Sequence, residues 1–217
     1  MSFHHSKINL TLGLINNAYS DYIAARVLLN KDLIIQGAIL ASTAIEKYLK
    51  VLICACTGKI VQIHLTKLEE IKAQIEKIGY SVLFEKIDLK FLEILSKVYK
   101  LRYYDTIKKP TTVGFFKNQF LGELDGTEAL FKKIINPYNS ETNEVILTPF
   151  KRELKNSNPD LLTNNWVATG DKNKKNFMET DAVGFAIHIL PYNLLEEIHI
   201  HSRPMNLLYE GSMDDRC

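Results

Sequence analysis

The sequence predicts a mainly α protein: an up-and-down bundle of four to five helices over residues 1–139, then a small β-containing extension over residues 140–217. Three observations lead there. The longest apolar pattern, LIIQGAILASTAIEKYLKVLICACT at residues 33–57, repeats at helical spacing. Segments of the same period flank it, joined by links of a few residues, which is the mark of antiparallel neighbours. From Ser140 onward the period gives way to short β-branched or alternating runs between Asn-, Asp- and Lys-rich loops.

The first helical pattern begins near Thr11 and lines up Leu14, Ala18, Tyr22, Ala25 and Leu29 on one face. Asn30, Lys31 and Asp32 then link it to the central pattern. There Ile34, Ala38, Ala41, Ile45, Tyr48, Leu52 and Ala55 alternate at spacings of four and three, and Ile35, Ile39, Leu49 and Ile53 lie beside them. So wide an apolar surface belongs to a helix covered by several neighbours, and this one would run about 36 Å. Glu46, Lys47 and Lys50 interrupt it and argue against a membrane span. Their simplest role is a solvated stripe with Glu46 and Lys50 paired four residues apart.

Gly58 stops that helix, and a loop with His64 follows. Thr66 and Glu69 have the spacing of a capping box opening a third helix, with Leu68, Ile71, Ile75 and Ile78 inward and Gly79 at its end. A fourth helix runs from about Ile87 to Thr106, with Phe91, Leu95, Val98 and Leu101 inward, before Pro110. A shorter helical piece covers Leu124 to Ile135. In the extension, residues 143–150, 166–169, 182–190 and 196–202 read as strands.

Composition limits the function. A chain of 217 residues, 46% hydrophobic, supports one good-sized core with a smaller attached unit. Its 27 basic and 25 acidic side chains leave a formal charge of +2, so attraction to nucleic acid or anionic lipid has to come from a local patch. Cys54 and Cys56 point away from each other on a helix and Cys217 stands last, which gives neither a disulfide framework nor zinc-ligand spacing. The N-terminal MSFHHSKINL lacks the apolar run of a signal peptide. The expectation is a cytoplasmic protein with no membrane partner.

The central AILASTAIEKYLKVLICACTG, the preceding helix, His64 with Leu65 and Leu68, and Leu101-Arg102-Tyr103-Tyr104 occur in an order that resembles the HEPN-domain family. The resemblance covers roughly Thr11 to Asn139. It implies a HEPN-like bundle that commonly forms homodimers, with Arg102 facing a polar cleft, in proteins that bind nucleotides or belong to toxin-antitoxin, defence or nucleotidyltransferase-associated systems. In the ribonuclease branch a histidine follows the arginine after four to six residues; here those positions hold Ile107, Lys108 and Lys109. Lysine is poorly suited to proton transfer near neutral pH, whereas histidine is well suited. The chain therefore resembles the non-catalytic branch: a nucleotide- or RNA-binding accessory protein, with a nucleotidyltransferase as a candidate partner. One alternative is a metal-independent endoribonuclease using Arg102 with a histidine from elsewhere; another is a purely structural dimeric module.

The ligand-binding candidates are Arg102, Tyr103, Tyr104, Asp105, Lys108 and Lys109, with Glu46 and Lys50 on the central helix. Arg102, Lys108 and Lys109 concentrate positive charge, and Tyr103 and Tyr104 offer faces for a base. The competing role for Arg102 is a salt bridge to Asp105 or Glu46 that ties the helices together. His199 and His201 share one face of a strand, with His188 upstream and Glu196 and Glu197 nearby. Alternation with Ile198 and Ile200 is equally the pattern of a half-exposed strand, so no metal or other cofactor is expected. Phosphate-loop, dinucleotide-binding, metalloprotease and nucleophile-elbow motifs are absent, as is a nucleotidyltransferase active site.

Overall fold

The computed structural model describes residues 5–106, 111–135, 137–139, 144–170, 183–190, 193–200 and 210–211. Over these the chain is mainly helical. Helix α1 spans His5–Asn30, starting earlier than its apolar pattern, and α2 spans Ile34–Thr57. Between them Asp32 takes a left-handed conformation with φ 58°, which its short polar side chain tolerates. The two helices pack along each other, and Gly37 permits their approach: a Cβ there would stand 2.7 Å from Leu29 Cγ. Gly58, at φ 74°, closes α2 by donating its N–H to the Cys54 carbonyl.

Both apolar rows of α2 are used, since Ala38, Ala41, Ile45, Leu49, Leu52 and Ile53 are all buried. Each fully buried Leu or Ile contributes about 1.5–3 kcal/mol, which makes this helix the centre of the core. No helix among the described residues is long and apolar enough to cross a membrane.

The expected capping box does not form. A 3-10 turn at Leu65–Lys67 leads into α3, Leu68–Lys77, with no side-chain cap. Thr66 is taken up inside that turn, and Glu69 pairs instead with Lys72 at 3.0 Å. A further short helix, α4 (Val82–Lys86), precedes the expected fourth one, which is itself divided into α5 (Leu89–Val98) and a 3-10 stretch (Tyr99–Thr106) whose Tyr103 is non-helical at φ −127°, ψ 40°. Asp88 separates α4 from α5 by capping α5, accepting from the N–H groups of Lys90 at 2.8 Å and Phe91 at 3.2 Å. Phe91, Leu95, Val98 and Leu101 face inward as their spacing predicts.

Strand β1, Thr111–Phe116, runs directly into α6, Lys117–Ile134, which is longer than the expected helical piece. Of the described residues 144–150, Glu144–Val145 form a strand, β3, paired with β2 at Tyr138–Asn139. Pro149 then opens α7, Pro149–Lys155, because proline suits a first helical turn. Another proline opens α8, Pro159–Leu162, at the end of one of the Asn-, Asp- and Lys-rich stretches expected as loops, residues 155–160. Residues 166–169 form turns rather than a strand: the Asn165 side-chain oxygen accepts from the N–H groups of Val167 at 3.1 Å and Ala168 at 2.9 Å.

The other two expected strands overlap β4, Val183–Leu190, and β5, Asn193–Ile200. With β6, Glu210–Gly211, they form an antiparallel sheet in the order β5-β4-β1-β6, with Phe115 opposite Phe185 and Ile189 opposite Leu194. β1, from residues 1–139, thus pairs with strands from residues 140–217.

A buried polar network ties the later segments to α1. Arg26 forms an ion pair with Asp125 on α6, both side chains fully buried, and donates to the carbonyl oxygens of Asp160 and Thr163. Tyr22 donates to Asp125 at 2.8 Å and accepts from Asn165 at 3.1 Å. One turn along α6, Glu128 pairs with Lys132 and accepts from Tyr48 at 3.2 Å, and the Lys132 ammonium lies over the Phe150 ring of α7. Buried charges are retained only with such partners.

Candidate functional site

The 3-10 stretch after α5 carries Arg102 to the surface, where it is exposed. Its guanidinium lies 5.0 Å from the ring centroid of Tyr99, and it donates to Thr43 Oγ1 on α2. Tyr99 precedes it by three residues, one turn of this tighter helix, so the ring supports the guanidinium from below. Burial, with the Glu46 charge adding to it, raises the Tyr99 pKa and keeps the phenol neutral, against the pull of Arg102.

His64 meets the other part of the same tyrosine. Its Nδ1 lies 3.0 Å from the Tyr99 hydroxyl, and the two rings are 5.4 Å apart. Behind the imidazole stands Glu46, whose Oε1 is 3.3 Å from Nδ1 and 2.7 Å from Lys50 Nζ. Glu46 Oε2 accepts the Leu65 N–H at 2.8 Å, which fixes the start of the 3-10 turn to α2. The His64 side chain is 51% exposed, so a buried carboxylate orients an imidazole that is half open to solvent.

Glu46 and Lys50 correct the expectation of a solvated stripe: they form a pair with only 7% and 11% side-chain exposure. The α3 entry and the 3-10 stretch cover this part of α2, so a favourable helical spacing becomes a buried contact. Lys47 alone of the three turns away, pairing with Asp21 of α1 at 2.7 Å. Arg102 does not pair with Glu46, whose two oxygens are already engaged by Lys50, His64 and Leu65. The two residues are linked through His64 and Tyr99.

Tyr103, 54% exposed, lies beside this group with its ring 6.4 Å from that of Tyr99. The side chains of Tyr104 and Asp105, and Lys108 and Lys109 altogether, lie outside the described residues. A groove of about 400 Å³ lies between the entry to α3 and α5, lined by Thr66, Lys67, Glu69, Glu70, Glu93 and Lys97; none of Arg102, Tyr99 and His64 lines it.

The histidines of the sheet are not brought together. His188 stands opposite Leu195, whereas His199 stands opposite Gly184. Four residues of strand separate those positions, about 13 Å at ordinary strand rise. The side chain of His199 and all of His201 lie outside the described residues.

The sequence reading missed Tyr99 and Thr43. A signal was present, because each lies three residues before a chosen candidate, Tyr99 before Arg102 and Thr43 before Glu46. No family model matches the chain, and no curated protein or solved structure is significantly similar to it.

Proposed function

We propose that the protein binds a phosphate-bearing ligand, a nucleotide or RNA, on the surface formed by Arg102, Tyr99 and His64. The carrying observation is the exposed Arg102 guanidinium, held over Tyr99 and by Thr43 instead of being neutralised by Glu46. A guanidinium already oriented by a ring and a hydroxyl offers its remaining N–H groups to phosphate oxygens at small further entropic cost. On this reading the protein is the non-catalytic HEPN-like accessory factor that the sequence resembles, and a homodimer or a nucleotidyltransferase partner would be its setting. Fluorescence anisotropy with labelled nucleotide and single-stranded RNA tests it. Binding should fall by about tenfold or more in Arg102→Ala, the effect of losing a charged hydrogen bond; no binding of either ligand by the unaltered chain overturns it.

A second reading, cleavage of RNA at the same surface, is favoured by one observation: a carboxylate-backed histidine shares the Tyr99 ring with Arg102. Incubation of purified protein with structured and unstructured RNA decides between them. Cleavage lost in both Arg102→Ala and His64→Ala would replace the non-catalytic reading.

A further inference from the structure

The charges around His64 oppose one another. From α2, the Glu46 carboxylate stands 3.3 Å from the imidazole Nδ1, with the Lys50 ammonium beside it at 2.7 Å. From the 3-10 stretch, Arg102 adds a positive charge on the ring of Tyr99, whose phenol is neutral. On its own segment, Lys67 is paired with Glu70 at 2.8 Å. An anion held by Arg102 would cancel the guanidinium charge on the tyrosine ring that the imidazole also meets. The anion's own negative charge, where it also meets the half-exposed imidazole, would favour the imidazolium in the complex. An imidazolium there donates through Nδ1 to Glu46 at 3.3 Å and has its Nε2–H as a second donor for a ligand.

We propose that His64 is the second phosphate-binding residue of the Arg102 site and acts as an imidazolium, so that the anionic ligand is taken up together with one proton. This rests on the phosphate-binding reading of Arg102 and adds proton-linked regulation to it. Neutral histidine provides a single donor and no charge, whereas imidazolium and guanidinium on one tyrosine ring form a two-cation cradle. Binding is therefore tightest in mildly acidic conditions.

The test uses the full chain and a labelled 2′-O-methylated RNA oligonucleotide, whose phosphodiesters do not titrate near neutrality and whose blocked 2′-oxygens prevent self-cleavage. Anisotropy is measured at fixed ionic strength between about pH 5.5 and 8, the range in which histidine changes charge. Affinity should fall with rising pH, at most about tenfold per pH unit, the limit for one linked proton. Calorimetry in buffers of different ionisation enthalpy should register proton uptake on binding. His64→Gln should bind weakly without the pH dependence. His64→Lys, a permanent cation, should remain tight at the alkaline end. A pH-independent affinity in the unaltered chain, or an unchanged dependence in His64→Gln, overturns the proposal while leaving phosphate binding at Arg102 intact. Loss of binding at every pH in the unaltered chain removes both.

Discussion

Glu46 and His64 face each other across 3.3 Å, a buried carboxylate on α2 behind a half-exposed imidazole at the entry to α3. The same carboxylate holds Lys50 and the Leu65 N–H, so one side chain joins helix packing, loop geometry and the orientation of the site.

Removing that charge should be costly. Glu46→Gln leaves the Lys50 ammonium buried without its counter-charge, and about 3 kcal/mol of stability should be lost. The urea midpoint reads this directly. The double variant Glu46→Gln/Lys50→Met should recover part of the loss, because it removes the stranded charge.

Arg26 and Asp125 should behave the same way with a larger effect, since both side chains are fully enclosed. Arg26→Met or Asp125→Asn alone should destabilise by about 3–5 kcal/mol. Arg26→Met also strips donors from the Asp160 and Thr163 carbonyls, so hydrogen exchange should quicken around α8 as well as in α1.

Lys132 gives a pH signature. Burial lowers its pKa from 10.5 to about 8, against the pull of Glu128. The unfolded chain then holds a proton that the folded chain has released across this window. The group's contribution to stability is complete above the upper value and is lost as pH falls through the lower one, a change of about 3 kcal/mol. Urea titrations across this range should show the rise for the unaltered chain and a smaller rise for Lys132→Met.

Gly37 marks the closest approach of α1 and α2. In Gly37→Ala the new methyl meets the buried Leu29 side chain at 2.7 Å and its backbone nitrogen at 3.1 Å. Overpacking of about 1–3 kcal/mol should outweigh the gain in helix propensity, and thermal unfolding should occur earlier.

The sequence by itself determined the helical character, the central place of α2 and the inward residues of α5, because apolar periodicity records which face is buried whatever covers it. It also singled out Arg102, Tyr103, Glu46 and Lys50. The start of α7 was hidden because Pro149 follows a β-rich run, and β1 because a strand is defined by partners such as Ile189 and Phe185, far away in the chain. Only the tertiary structure decided that Glu46 and Lys50 are buried, that Arg102 rests on Tyr99, and that His64 shares this ring. These relations join α2, the loop before α3 and the turn after α5. Local spacing fixes the face on which each side chain lies, while packing between distant segments fixes which faces meet.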